Sequence, residues 1–448
     1  MELRAGAARV TITPPVGIEM VGFAGRGPAD GLHDALTATV LVLEGSRAPA
    51  ASAGQTDEVI RLALIACDLL YLRSEEVHAV RAAVGRLTDV PADHVIVACS
   101  HTHYGPLTDP ARSTEQAQVG PYLANLVHLL AGGVALARSR VVPCRIGVGH
   151  GEVRIGINRR ERTADGRIIL GHNPTGPYDP KVTVLRLDTV DNRPLAAVLN
   201  CACHPVSLGA QCTHLSADFP GTARTLLEEQ TGATCLFLQG AAGNINPLLM
   251  GWDWTHLVRL GLPLGAEATR VYWSIQPSVE ATEGGLDIAR SRLDLPPILP
   301  GSVAEGREAV AALEAERDRL RAAGEAGGLW WAERRLARSR QGLEALQGGP
   351  PVLPVSAELT AVRLGYTVGL ITAPGEIFTE IGQSIVARSP FPHTLYAGYT
   401  DGSVWYVPTR AAYAEGGYEV THACLVAPEA GETVEEESVR LLGSIHGR

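Results

Sequence analysis

One stretch constrains the fold of this chain more than any other, the run Val95-Ile-Val-Ala-Cys-Ser-His101-Thr-His103-Tyr-Gly105-Pro106. Its apolar, β-branched first half is typical of a buried strand, and the Gly-Pro pair prevents the strand from simply continuing. Residues two apart in extended backbone point to the same side. His101 and His103 can therefore face one site beyond the carboxyl end of a strand, where open α/β sheets bind ligands. From this stretch alone, two hydrogen-bonded loop histidines are an equal alternative.

The same pattern recurs twice further along the chain. The apolar run 196–203 ends in His204 followed by proline, and the run 367–373 ends in Pro-Gly followed by Glu376. Two histidines and a carboxylate are the protein ligands of several catalytic zinc sites in which an open position holds water. Polar residues are common where strands meet loops, but three strand ends with ligand-type residues favour a metal site.

Strand-like and helix-like segments alternate along the chain. The segment 61–100 is typical of a β-α-β unit. Residues 302–347 are rich in Ala, Glu, Arg and Leu and are broken by glycines, which predicts a hairpin of two antiparallel helices. Trp330 and Trp331, near the turn, are expected to pack within that hairpin, and a lid or a subunit contact is the alternative. The sequence therefore predicts an α/β fold, a mixed β-sheet core flanked by helices, as a single domain over residues 1–448 with the helical hairpin 302–347 inserted in it.

Composition limits the partners and the compartment. The net charge of −10 and the pI near 5.8 give no basic surface for phosphates, so a nucleic-acid partner is not expected. No apolar run is judged long enough to cross a bilayer. The N-terminus has no apolar segment typical of a secretory signal, so we expect a cytoplasmic protein whose eight cysteines are reduced. Nothing in the sequence indicates an oligomeric state.

Two predicted loops carry further polar residues. The segment Gly156-Ile-Asn-Arg159-Arg160-Glu-Arg162 is crowded with cations. Such clusters are usually solvated surface loops, and the alternative is a guanidinium directed at a substrate oxygen. The segment Gly240-Ala-Ala-Gly243-Asn244-Ile-Asn246-Pro247 follows a short apolar strand, and its small residues allow backbone N–H groups to point at a ligand. It is not a phosphate P-loop, because no Gly-Lys-Ser/Thr follows.

The run from Ala8-Arg-Val-Thr-Ile-Thr-Pro-Pro to Tyr418-Glu419 contains five motifs in a specific order and spacing. They are Ser100-His-Thr-His-x-Gly-Pro, Asn158-Arg159, His204-Pro205, Pro374-Gly-Glu376, and Tyr406-Val-x-Thr followed by Tyr413 and Tyr418. On these motifs the chain resembles the catalytic domain of the neutral/alkaline ceramidases, a family of zinc-dependent amidases. The resemblance implies one zinc ion held by His101, His204, Glu376 and Tyr406. It also implies that His103 and Arg159 line the reaction site and that Tyr418 helps to hold the substrate carbonyl.

The chain departs from the family pattern in the loop after the strand 234–239. Ceramide-cleaving members carry Gly-Asp-x-Ser-Pro there, and the serine is implicated in the chemistry. This chain has Asn246 where the serine would stand, and an asparagine cannot act as a nucleophile. The segment before Tyr413 also lacks the usual acidic pair. The family's C-terminal immunoglobulin-like domain is expected to be absent, because the chain ends soon after the tyrosine motif.

The expected function is hydrolysis of an amide or ester by a zinc-bound hydroxide, which needs no serine. His103 would shuttle the proton. The oxyanion would be stabilised by Arg159, Tyr418, Asn246 and the backbone N–H groups of Gly240, Gly243 and Asn244. The substrate is expected to be a small-molecule or lipid-like amide or ester rather than ceramide. A true ceramidase and a non-catalytic metal-binding homologue are the alternatives.

One further carboxylate has two interpretations. Asp218 opens the predicted helix 222–230, where capping of its N-terminus is the favoured role. The other interpretation is a partner that fixes the tautomer of a metal-ligating histidine.

Overall fold

The computed structural model describes residues 2–47, 58–113 and 116–446. The strands are β1 (Arg4–Thr11), β2 (Gly31–Leu32), β3 (Thr37–Ser46), β4 (Val59–Cys67), β5 (Val95–Cys99), β6 (Val142–Glu152), β7 (Gly156–Arg162), β8 (Ile168–Asn173), β9 (Lys181–Thr189), β10 (Pro194–Cys201), β11 (His214–Leu215), β12 (Thr234–Gln239), β13 (Ile245–Pro247), β14 (Leu286–Leu295), β15 (Val355–Leu364), β16 (Val368–Thr372), β17 (Glu376–Ile377), β18 (His393–Ala397) and β19 (Tyr406–Val407). The helices are α1 (Ser74–Leu87), α2 (Gln116–Ser139), α3 (Asp218–Thr231), α4 (Thr255–Ser274), α5 (Val303–Ala323), α6 (Ala326–Leu346), α7 (Thr379–Arg388), α8 (Arg410–Glu415), α9 (Tyr418–Thr421) and α10 (Ala430–His446).

Two stacked sheets and two helical layers make up the core. The larger sheet has the strand order β12-β10-β9-β6-β1-β3-β4-β5, and the smaller has the order β14-β15-β16-β18. Both sheets are mixed, since β4 runs parallel to β5, β10 to β12 and β16 to β18, whereas β1 runs antiparallel to β3. Helices α1–α4 cover the outer face of the larger sheet, and α7 and α10 cover that of the smaller one. The predicted α/β class, a mixed sheet flanked by helices, is confirmed.

Strand β3 illustrates why the sheets stack. Val40 and Val42 pack under the helices of the outer layer, whereas Leu41 and Leu43 pack in the core between the two sheets. A strand that is buried on both faces must be apolar at successive positions. This requirement explains the nearly continuous apolar run from position 38 to position 43 of the sequence.

Helices α5 and α6 form the inserted hairpin that the glycine-interrupted segment predicts. Gly324 ends α5 in the left-handed conformation, with φ of 71°, and allows the chain to reverse. The tip of the hairpin lies against the glycine-rich N-terminal loop, because Gly25 and Ala24 contact Gly327 closely. The hairpin therefore reaches back over the carboxyl ends of the sheet strands.

Helix α2 contradicts the expectation that no apolar run is long enough to cross a bilayer. Residues Gln118–Ser139 are long and apolar enough to cross a membrane by length and composition alone. In the fold, α2 packs on α1, β1 and β3, and 44% of its most apolar window is buried. A core helix that lies on a sheet meets the same criterion of length and hydropathy, so the feature carries no further conclusion.

Candidate active site

Three side chains at strand ends converge on one point. His101 follows β5, His204 follows β10, and Glu376 lies just beyond β16. Nε2 of His204 lies 3.0 Å from Oε2 of Glu376, and Nε2 of His101 lies 3.3 Å from the same oxygen. The structure thus brings together the three residues that the strand-end pattern singles out.

His103 completes a group of three histidines. Its ring centroid lies 5.0 Å from that of His101 and 5.7 Å from that of His204. One ring nitrogen from each of the three lies within 4.8 Å of the others. These histidines form a group that can hold a metal ion.

Backbone carbonyls orient all three rings. The Nδ1 contacts are His101 to Leu70 O at 2.9 Å, His103 to Gly22 O at 3.1 Å and His204 to Ala242 O at 2.7 Å. A carbonyl oxygen can only accept, so each Nδ1 carries the proton. In the neutral ring the lone pair is then on Nε2, which faces the common point.

This set of donors fits a divalent cation. The Nε2 atoms of His101 and His103 are buried and have no hydrogen-bond partner among the described residues. Nε2 of His204 faces the carboxylate of Glu376 at 3.0 Å. Buried lone pairs and a carboxylate that face one another are unfavourable without a cation between them. Imidazole nitrogens and a carboxylate oxygen are ligands that zinc accepts.

Burial sets the ionisation of these groups. It lowers the pKa of His204 to about 4, with a further contribution from the nearby Arg159 cation. It also lowers the pKa of His103 well below its usual value. Burial alone would raise the pKa of Glu376, but its electrostatic contacts with His101 and His204 lower it well below the usual range. Neutral imidazoles and an ionised carboxylate are the forms that bind metal ions.

Arg159 is fully enclosed and lies next to the histidines. Its Nε donates to Glu419 at 2.8 Å, its Nη2 to the Tyr406 hydroxyl at 2.8 Å and its Nη1 to Asn246 Oδ1 at 3.2 Å. The prediction of a loop at 156–162 is wrong, because this segment is strand β7, paired with β13 and β8. Arg159 and Arg160 are buried and share Glu419, so the solvated interpretation is wrong for both.

Two tyrosines line the same cavity. Tyr406 stands opposite Glu376 in the short parallel pairing of β17 and β19, which fixes the two side by side. Burial raises the pKa of Tyr406 well above its usual value. Tyr418, at the start of α9, lies with its ring centroid 5.9 Å from that of Tyr406. Both hydroxyl-bearing side chains therefore belong to the cavity that contains the histidines.

The loop after β12 is arranged differently from the expectation. The N–H of Gly240 donates to Cys201 O at 2.8 Å and that of Gly243 to Ile377 O at 2.9 Å. The Asn244 side chain accepts from Thr379 N and donates to Glu380. The N–H groups of Gly240 and Gly243 are committed within the fold, so they are not free to stabilise an oxyanion, while the role expected for the backbone N–H of Asn244 stays a prediction. Among the residues of this loop, Asn246 lines the cavity.

Gly243 allows another segment of backbone to pass close to it. A Cβ atom at this position would lie 2.4 Å from the carbonyl oxygen of Glu376 and 2.9 Å from that of Ile377. Glycine is required because the backbone that carries Glu376 crosses directly over it. The loop after β12 thus helps to position the carboxylate of Glu376.

The cavity has a volume of about 280 Å³ and a largely apolar outer wall. Trp330 and Trp331 of the hairpin line it, together with Phe23 and Met250. Trp331 lies 5.6 Å from Tyr418 and 5.9 Å from Trp405 between ring centroids. The expectation that the two tryptophans pack within the hairpin is therefore wrong, since they face the cavity and residues from other parts of the chain.

Two residues that sequence reasoning missed organise the site. Glu419 neutralises the enclosed Arg159, and it could have been found because it directly follows Tyr418, the last tyrosine of the motif that begins at Tyr406. Gln239 ends β12, is fully buried, and donates through Nε2 to Ser100 O and Cys203 O at 3.2 and 2.7 Å. It links the backbone segments that carry His101 and His204. No local pattern marks such a glutamine.

Asp218 serves neither of its expected roles in full. Its carboxylate accepts from Ser207 and from the N–H of Phe219, and no histidine is among its hydrogen-bond partners in the described chain. Helix α3 begins at Asp218 itself, with Ala217 at the N-cap position. The histidine tautomers are fixed by carbonyl oxygens instead.

Known structures share this fold. No protein-family model and no curated protein sequence matches the chain. A neutral ceramidase from Pseudomonas aeruginosa is similar over 100% of this chain and 75% of its own, with a TM-score of 0.69 and 20% identity. A ceramidase complexed with C2 is similar over 100% of this chain and 76% of its own, with a TM-score of 0.72 and 20% identity. This chain therefore has a ceramidase-like fold.

Proposed function

We propose that this chain is a zinc-dependent hydrolase that cleaves an amide or ester bond of a substrate smaller than ceramide. The observation that carries the proposal is the orientation of three buried histidines by backbone carbonyls, with every Nε2 directed toward Glu376 or left without a partner. The solved structures of the same fold are named as ceramidases, which supports hydrolysis.

The proposed zinc ligands are His101, His204, Glu376 and Tyr406. A bound zinc ion lowers the pKa of a water ligand to about 7 and polarises a carbonyl oxygen. Arg159 lies against His204, at 3.4 Å between Nη1 and Nε2, and donates to the Tyr406 hydroxyl. Its charge is balanced by Glu419, so it can remain in the site as a fixed cation.

His103 is the proposed proton carrier. Its Nδ1 is held by Gly22 O, and its Nε2 is free to take a proton from the attacking water and deliver it to the leaving nitrogen or oxygen. Such acid–base assistance contributes about 10²–10⁴-fold to the rate. Arg159 and Tyr418 stabilise the negative charge that develops on the substrate carbonyl oxygen. Asn246 is held by Arg159 and lines the cavity beside them, where it can contact the substrate.

The cavity volume supports a small substrate. Small-molecule sites typically occupy about 300–1,000 Å³, and this cavity of about 280 Å³ is at the lower limit. A true ceramidase is the second candidate, and the names of the structural neighbours favour it. A panel that contains short N-acyl amides, short esters and a long-chain ceramide separates the two.

The test begins with the metal. Purified wild-type protein is expected to hold one zinc ion per chain by elemental analysis, and His204→Ala is expected to hold none. His150→Ala is the matched control, because His150 contacts His393 and Thr183 outside the cavity. Wild type without zinc, or His204→Ala with a full complement, would contradict the proposal.

The role of His103 needs a separate comparison, because its Nε2 also lies within reach of a shared ion. If His103 carries a proton, His103→Ala retains zinc and loses about 10²-fold or more in kcat. If it is a ligand, the variant loses zinc. Turnover of the substrate panel that survives both chelation and His103→Ala would rule out this mechanism and indicate a different hydrolase. Bound zinc without turnover of any compound in the panel would indicate a non-catalytic metal-binding protein.

A further inference from the structure

The outer wall of the cavity carries one arginine that has no acidic partner among the described residues. Arg112 lines the cavity, and its guanidinium lies 4.5 Å from the ring centroid of Trp330. Its Nη1 donates to the Tyr71 hydroxyl at 3.1 Å, while its Nε is buried and makes no hydrogen bond. The neighbouring Asp109 is engaged elsewhere, because it pairs with Arg73 at 3.4 Å and accepts from Ala111 N.

A second cation strengthens this positive wall. Arg334 of α6 lies 4.9 Å from the centroid of Trp330 and 5.0 Å from that of Trp405, and it also has no ion pair within the described chain. Burial lowers the pKa of Arg334, and the nearby charge of Arg112 lowers it further. Both guanidinium groups therefore lie over the Trp330 ring, and neither forms an ion pair with a described carboxylate, although the charge of Asp109 also acts on Arg334.

The other two arginines near the cavity are compensated. Arg159 is paired with Glu419. Arg26 donates to three backbone carbonyl oxygens, those of Val21, His103 and Cys212. Of the two arginines that line the cavity in the described part of the chain, Arg112 is the one without a carboxylate partner.

We propose that Arg112 binds a carboxylate group of the substrate, so that the substrate class is a small N-acyl amino acid or a similar acyl compound with a free carboxylate. This inference rests on the proposed hydrolase function. A guanidinium presents parallel N–H donors that match the two oxygens of a carboxylate. The stacking of Arg112 on Trp330 and its bond to Tyr71 hold the group in place before the ligand arrives. The apolar residues Leu170 and Met250, elsewhere on the wall, suit a short acyl chain.

The competing role for Arg112 is structural. Its stacking on Trp330 joins the short turn at Pro110–Arg112 to helix α6. A purely structural arginine would affect thermal stability and would treat charged and neutral ligands alike. The experiment must therefore measure a preference between ligands rather than a single activity.

The test compares N-butyrylglycine with N-butyrylethanolamine, which places a neutral hydroxyl where the first has a carboxylate. Binding to the full-length, zinc-loaded protein is followed by quenching of tryptophan fluorescence, and turnover is measured in parallel. Wild type is expected to prefer N-butyrylglycine at least tenfold in Kd. Arg112→Met is expected to abolish that preference, and Arg112→Lys to retain part of it. Arg335→Met is the matched control on α6, because Arg335 pairs with Glu316 and does not line the cavity.

Each outcome has one meaning. If wild type prefers the carboxylate and Arg112→Met removes that preference, the carboxylate site is supported. If zinc-dependent turnover is absent in the same experiment, the result counts against the hydrolase function. Turnover of both compounds without preference overturns the carboxylate site and leaves the hydrolase standing. Failure of wild type to bind N-butyrylglycine overturns the proposal. The proposal is also overturned if Arg112→Met keeps the preference, or if this variant loses affinity for both ligands equally.

Discussion

The inner and outer walls of the cavity are built in different ways. The inner wall, which we define as His101, His103 and Glu376 together with the fully buried His204 that contacts Glu376, stands at the ends of sheet strands, and its histidines are held by backbone hydrogen bonds. The outer wall, which we define as Arg112, Leu170, Met250, Trp330 and Trp331, comes from loops, a β-hairpin and the helical hairpin. On the proposed function, the inner wall would carry the chemistry and the outer wall would select the substrate that reaches it. Changes to the inner wall should therefore alter metal affinity, and changes to the outer wall should alter only the binding of substrate.

Glu376→Gln is the sharpest test of the inner wall. The substitution keeps the shape but replaces an anionic ligand with a neutral amide, which attracts a divalent cation less strongly. We expect zinc affinity to fall by more than about 100-fold, given that even groups that only support metal ligands are worth 10–100-fold. Chelator competition measures the affinity. Glu380→Gln is the control, because Glu380 contacts Asn244 and does not line the cavity; equal losses in both variants would break the distinction.

Gly243→Ala tests whether the loop after β12 positions the carboxylate. The added methyl would meet the carbonyl oxygens of Glu376 and Ile377, and β17 would have to move. Overpacking of this kind costs about 1–3 kcal/mol of folding free energy. We expect zinc affinity to drop by roughly tenfold, since a 1.4 kcal/mol loss of ligand alignment has that effect. Gly132→Ala adds the same methyl in α2, where nothing lies within 4 Å, and should leave zinc affinity unchanged.

Gln239→Met should weaken the link between the segments that carry His101 and His204. The variant keeps the side-chain length but leaves Ser100 O and Cys203 O without their donor, which costs about 2–4 kcal/mol of unfolding free energy. Zinc affinity should fall only a few-fold, because each ring keeps its own carbonyl contact. Urea denaturation and zinc titration measure the two effects. Asn200→Leu removes a comparable bridge, from Asn200 to Leu238 O and Tyr396 O, and should lower stability without changing zinc affinity.

The difference between the inner and outer walls also explains which features the sequence could predict. The strand ends at His101, His204 and Glu376 can be recognised in the sequence. A buried strand requires an apolar run, and a polar ligand residue after the strand ends that run. Segment 156–162 is not recognisable as a strand, because a strand that buries arginines against Glu419 has no apolar pattern. The amides of Gly240 and Gly243 were assigned to an oxyanion because their partners, Cys201 O and Ile377 O, are close only in the fold. Hairpin periodicity shows that α5 and α6 pair, but not that Trp331 meets Tyr418 across about 90 residues of chain.

Trp331→Ala gives the smallest effect and tests the outer wall directly. The ring packs edge-on against Tyr418 and Trp405, and such aromatic contacts are worth about 0.5–1.5 kcal/mol each. Loss of one wall residue should raise KM for short acyl amides by about three- to tenfold, with kcat and zinc content nearly unchanged. Trp273→Ala removes a tryptophan that is 51% exposed on α4 and packs on Tyr272, and it should leave KM as it is. A loss of zinc in Trp331→Ala would mean that the hairpin supports the metal ligands, because a wall that only selects substrate cannot change the affinity of a metal held by the strand ends.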